Sequence, residues 1–158
     1  FRPSDLAREL RALRAVSVGA AGTFVVHADA DEKSIRKEFS KRLPFDARLM
    51  VSPARDVIDL VARDPFSSEA ARSADGQFIC ILESPLRTRP KLPLYVPEGP
   101  DWQVGITEVR GRFVVALWRR VGRNFLYPNA VVEKRFGVPA TTRGWKTILR
   151  IRKAIEIG

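Results

Sequence analysis

Three arginines, Arg119, Arg120 and Arg123, stand just ahead of a segment that opens Pro128-Asn129 and reads as a helix. The first amides of a helix have no intrahelical partner and carry the positive end of its dipole. Arginines placed before them, with Asn129 at the helix start, can hold a phosphate. Further on, Arg143, Lys146, Arg150 and Lys153 recur at helical spacing and fall within one third of a helix circumference. Trp145, Ile148, Leu149, Ile151 and Ile155 take much of the opposite side, so a cationic face backs onto an apolar one. Arg152 falls among the apolar positions, with Glu156 four residues on to pair with it. Aromatic rings accompany the charges. Phe125 and Tyr127 lie in the loop before the first helix and are the candidates for stacking on bases, as single-stranded nucleic acid is held in basic grooves. Trp118, Phe136 and Trp145 accompany the charges as well; large rings are more often core, and exposure decides between the two roles.

The same region admits a second chemistry. The amide of Asn129, the hydroxyls of Thr141 and Thr142 and the guanidinium of Arg143 can hold a small carboxylate or phosphate. The pocket of such a metabolite binder or enzyme would lie between the 119–129 loop and the 141–143 turn. The plainest alternative leaves these cations as a solvated face with no ligand.

The charge is segregated along the chain. Residues 1–109 hold 16 Lys and Arg against 16 Asp and Glu, whereas residues 110–158 hold 12 against 2 and so carry the whole net charge of +10. Some of the excess follows from a preference for Arg (21) over Lys (7), but that preference does not remove acids after Glu108. A segregated charge implies a negative partner: nucleic acid, another polyanion or an acidic protein surface.

Catalytic signatures are absent. His27 is the sole histidine and sits at the end of a predicted strand, where it reads as a surface or capping residue. Cys80, the sole cysteine, lies in Phe78-Ile79-Cys80-Ile81-Leu82 and reads as a buried thiol. One His and one Cys make neither a zinc site nor a nucleophile–base pair. Asp29, Asp31 and Glu32 are explained by a helix start better than by a cation. No phosphate-loop or dinucleotide motif occurs, so no catalytic residue, cofactor or metal is assigned. One cysteine and a charged opening stretch without a secretory signal fit a reducing, cytoplasmic compartment, and no apolar run approaches the ~20 residues of a membrane span.

The elements that must position these residues follow from periodicity and turn residues. Ser4 is expected to cap a helix with Leu6, Leu10 and Leu13 on one stripe. Val16–Val18 and Thr23–Ala28 read as strands about Gly19 and Gly22. Asp29 or Asp31 caps a helix to Leu43, with Ile35 and Phe39 inward, and Pro44 ends it. A short strand over Arg48–Val51 and a helix after Ser52-Pro53 follow, then a loop over Asp64–Gly76. Gln77–Glu83 reads as a central strand. Ser84–Pro100, with five prolines, is neither helix nor central strand and is long enough to be a functional loop or an ordered arm. Trp102–Val109 and Arg112–Arg119 form a hairpin about Arg110-Gly111. Asn129–Phe136 is a helix ended by Gly137, and Thr141 or Thr142 caps the last helix. The order implies a single α+β domain over 1–158, with a largely antiparallel sheet, helices on one face and ferredoxin-like parts. Its candidate halves are 1–75 and 76–158.

The run from Asn129 through Glu133-Lys134, Gly137 and Ala140 to Thr141-Thr142-Arg143-Gly144-Trp145-Lys146-Thr147 resembles the C-terminal signature of a bacterial family, domain of unknown function 1697. There an Asn-x-x-x-Glu-Lys helix leads through a short turn into Thr-Thr-Arg-Asn-Trp-Asn-Thr. Gly22-Thr23-Phe24-Val25-Val26 and Asp64-Pro65-Phe66 are weaker echoes of its strand and Asn-Pro-Phe motifs. The family's opening strand and Arg-Gly-Ile-Asn-Val-Gly-Gly loop have no counterpart here, so an N-terminal strand is expected to be missing. Before the helix the family has Gly-x-Gly-x-Ser-Lys-Leu-Thr where this chain has Val121-Gly122-Arg123-Asn124-Phe125-Leu126-Tyr127-Pro128, so the Ser-Lys pair is gone. The resemblance implies an α+β fold with ferredoxin-like parts and no activity.

Overall fold

Leu6, Leu10 and Leu13 return at helical spacing, and the computed structural model, which describes residues 1–158, buries all three. They belong to the first of two compact units, residues 1–62 with 146–158; the second is residues 63–145. The division between them falls after Ala62, and residues 146–158 belong to the first unit. No helix is long and apolar enough to cross a membrane.

In the first unit, α1 (Pro3–Glu9) runs into a 3₁₀ turn (Arg11–Leu13). Ser4 lies inside α1 and is not its cap: Pro3, with its fixed φ, already occupies the first turn. Strands β1 (Ala15–Val18) and β2 (Thr23–Val26) pair antiparallel, and Gly19 and Gly22 at φ +68° and +84° supply the left-handed residues of their turn. Helix α2 (Glu32–Arg42) starts at Asp31, whose carboxylate accepts the Ser34 N–H at 2.8 Å. That bond holds the Asp31 carboxyl below its ordinary pKa. Phe39 completes a core with Leu6, Leu10 and Leu13, against which Phe24, Ile35 and Leu49 pack. The expected strand at Arg48–Val51 does not form. Instead the Leu49 carbonyl accepts from the Arg36 guanidinium at 2.6 Å, taking a group that a ladder would need. Helix α3 (Ala54–Ala62) buries Val57 and Leu60.

The second unit is a five-stranded sheet. Residues 64–76, expected as loop, contain α4 (Glu69–Ser73), whose first turn is capped by the Ser68 hydroxyl accepting from Ala71 N–H at 3.1 Å. Then follow β3 (Gly76–Leu82), β4 (Leu94–Val96), β5 (Val104–Arg110), β6 (Phe113–Trp118), α5 (Pro128–Phe136) and β7 (Ala140–Gly144). The strand order is β4-β5-β6-β3-β7, and every pairing is antiparallel. The apolar run of β3 is central, as its composition requires. The proline-rich segment contributes only a three-residue edge strand between Pro93 and Pro97, because prolines cannot donate to an inner ladder. All six residues of β6 are buried, so it is covered on both faces. Cys80, Leu82, Ile106, Val114 and Ala116 form one face and join Val131 and Val132 of α5 in a single core. β6 and β7 both run antiparallel to β3 and therefore parallel to each other, so a crossover must join them; α5 is that crossover.

The expected cap at Thr141 or Thr142 is overturned. Both threonines lie in β7, where Thr142 pairs with Cys80 and Thr141 with Ile81, and α6 (Trp145–Ile157) begins only after Gly144. Threonine serves a strand as readily as a cap, and here the ladder to β3 decides.

Candidate nucleic-acid interface

The sites expected from spacing separate into engaged and exposed residues. At the start of α5, Pro128 has no N–H, and the N–H groups of Ala130 and Val131 already donate to the Tyr127 carbonyl. Asn129 Oδ1 accepts from Thr142 Oγ1 at 3.1 Å, and Thr142 Oγ1 lies 3.4 Å from Cys80 Sγ. Glu133 Oε2 accepts from Ala140 N–H at 3.4 Å, and its carbonyl accepts from Gly137 N–H, the left-handed residue at φ +70° that ends the helix. Asn129, Glu133 and Thr142 thus tie α5 to β7. Burial pushes the Cys80 thiol up to about 12, so it is a neutral core group and not a nucleophile.

Arg143 follows Thr142 on β7 and so leaves the strand on the opposite face. Its Nη1 donates to Thr141 Oγ1 at 2.8 Å and to the Thr142 carbonyl at 2.9 Å, and burial lowers its pKa from the ordinary value. The structure therefore brings Asn129 and Thr142 together without Arg143.

Arg119 and Arg120 also diverge, as consecutive residues at a strand end must. Arg119 lies 4.0 Å over the Trp102 ring and donates to the carbonyls of Trp102 at 3.0 Å and Pro100 at 2.5 Å. Trp102 packs in turn on Tyr95, which covers Gly105, where an added Cβ would sit 2.8 Å from the Tyr95 ring. Arg120 turns the other way. Its backbone N–H is fixed by Asp75 at 2.8 Å, and its exposed guanidinium lies 5.5 Å over Trp118. Trp118 is buried; Phe125 stacks on it at 4.5 Å and Tyr127 on Phe125 at 4.4 Å. Exposure climbs along this ladder to 62% at Tyr127. Arg123, in the same loop, is exposed and has no ion pair.

The remaining expected cations, Lys146, Arg150 and Lys153, are exposed on α6 in the first unit and have no ion pair; Arg152 pairs with Glu156. Because Arg143 is in β7, it is not part of that helical face. Folding also redistributes the charge. The first unit has 15 Lys and Arg against 10 Asp and Glu, and the second has 13 against 8, so each is +5. Segregation along the chain becomes an even division between units. Sequence reasoning misses two further exposed arginines, Arg87 and Arg89; the signal that points to them is the length of the proline-rich segment.

Comparison with models of known protein families, with curated proteins and with solved structures finds no match.

Proposed function

We propose that this chain is a binding module for single-stranded nucleic acid, and that residues 118–127 are where bases and phosphates are held. The observation that carries the reading is the ladder Trp118–Phe125–Tyr127, open to solvent at its outer end and accompanied by the exposed Arg120 and Arg123. A base has a π-face whatever its identity, so exposed rings bind it without reading sequence, while guanidinium groups neutralise the phosphates. Lys146, Arg150 and Lys153 give the other unit a cationic helix face of its own, suited to backbone contacts. No residue is assigned a catalytic role. A place in the domain of unknown function 1697 family rests on the motif at residues 129–147 and adds no activity to this reading.

A fluorescein-labelled single-stranded oligonucleotide, followed by anisotropy, tests the proposal. Binding is expected at about 50 mM salt, with log affinity falling on log salt at a slope of about −1.4 if Arg120 and Arg123 each neutralise one phosphate, and more steeply if the α6 cations join them. Absence of binding at that salt, or affinity indifferent to salt, overturns it.

A further inference from the structure

The second unit has another recess at the other end of its sheet. The ladder sits where β6 ends, at Trp118; the recess lies by the β5–β6 turn at Arg110-Gly111, against the proline-rich segment. It is a groove of about 610 Å³, within the range that holds small molecules. Leu86, Leu92 and Val109 line it and also pack on the sheet core, so its apolar part is anchored. Pro85 and Pro90 stiffen the segment that forms its wall. Three exposed guanidinium groups line it: Arg87, Arg89 and Arg110.

A single carboxylate, that of Glu108, faces this charge. It is already bracketed by Arg63, which donates to it, and by Arg110, whose Nε lies 3.6 Å from it. Arg87 and Arg89 have no ion pair. The β-bulge in β5 falls here as well. Ile106 pairs with Ala116 and Glu108 with Val115, so Thr107 has no partner across the ladder and is exposed in the lining. Cations on a stiff wall, an apolar inner surface and an unpaired strand residue together match an anion with an organic body. A bare polymer backbone would need no recess.

We infer that this groove is a binding site for a small organic phosphate of the nucleoside diphosphate type, its phosphates held by Arg87, Arg89 and Arg110 and its base or sugar against Leu86, Leu92 and Val109. The site is independent of the aromatic ladder. Isotope-edited NMR of the full chain titrated with ADP tests it, with thermal melting alongside. ADP is expected to shift the amides of residues 85–92 and 107–111 saturably and to raise the melting temperature by a few degrees. The double variant Arg87→Ala with Arg89→Ala, both on exposed loop positions, should lose at least about tenfold in ADP affinity while its own melting temperature stays unchanged. Adenosine, which lacks the charge, should not compete. Phe125→Ala should leave the ADP response intact, which separates this site from the nucleic-acid proposal. The inference fails if ADP moves none of these amides, if the double variant binds ADP normally, or if an oligonucleotide moves them and ADP does not.

Discussion

Two aromatic stacks belong to the second unit, each topped by one of two consecutive arginines that leave the strand end on opposite faces, and they have opposite fates. In the first, Arg119 covers Trp102, Trp102 packs on Tyr95, and Tyr95 closes over Gly105. Nε and Nη2 of Arg119 donate to the Trp102 and Pro100 carbonyls. That stack braces the edge of the sheet, where β4 pairs with β5. In the second, Arg120 hovers at 5.5 Å over a buried Trp118, and the rings climb outward through Phe125 to Tyr127. Composition is nearly the same in both. The difference is where the far end of each stack stops: on a glycine backbone or in water. Exposure of the terminal ring, rather than the presence of Arg beside Trp, separates a structural clamp from a binding platform.

The largest expected effect follows from that distinction. Replacing Phe125 and Tyr127 together by Ala should weaken oligonucleotide binding by roughly 2–6 kcal/mol, at 1–3 kcal/mol per stacked base. Trp102→Ala, in the closed stack, should lower the melting temperature and leave the affinity of the folded fraction unchanged. Anisotropy and calorimetric melting on both variants check this. If the closed stack governs binding and the open one does not, the comparison is reversed and the proposed function goes with it.

Much of this geometry is legible in the chain and some is not, for identifiable reasons. The apolar run of β3, the turn at Gly111 and the stop at Gly137 each depend on one local signal, and each forms where that signal lies. β7 escapes because Thr-Thr before an apolar helix reads as a cap, and only pairing with β3 makes it a strand. Arg48–Val51 fails in the opposite sense, strand-like in composition yet outside any ladder. The cationic surface fails through topology. Arg119 and Arg143 are neighbours of exposed arginines and lysines in sequence, yet the alternation of a strand turns them to other partners. Net charge along a chain does not say how the charges are divided once a terminal helix returns to the first unit.

A smaller effect, and one confined to stability, concerns the inward-facing side of the same unit. Cys80 is neutral in the fold, with its pKa pushed by burial from 9.0 up to about 12. Below pH 9 the thiol is neutral folded or unfolded, and its contribution is fully present. Above that, the unfolded chain ionises first, so stability should fall by about 1.4 kcal/mol per pH unit until the folded thiol itself titrates. Denaturant melts of wild type and Cys80→Ala across alkaline pH isolate the term, because the variant lacks it. Alkylation at neutral pH should proceed only on unfolding. Rapid labelling of the native chain would mean that the thiol is reachable and the neutral-core reading is wrong.

The smallest effect tests whether the α5–β7 motif is framework or binding site. Thr142→Val keeps the shape of the side chain and removes the hydroxyl that donates to Asn129 Oδ1 and meets Cys80 Sγ. Asn129 is only half-buried, so water can replace the lost donor, and a cost of about 1 kcal/mol in stability is expected. The same hydroxyl lowers the thiol pKa against the effect of burial, so its removal should move the thiolate titration of the folded chain to still higher pH. Ultraviolet absorbance of the thiolate reads that shift directly. Oligonucleotide affinity should not change, because a hydroxyl already donating to Asn129 has no proton to offer a phosphate. A large loss of binding in Thr142→Val with normal stability would place the ligand at the start of α5 instead of on the open ladder.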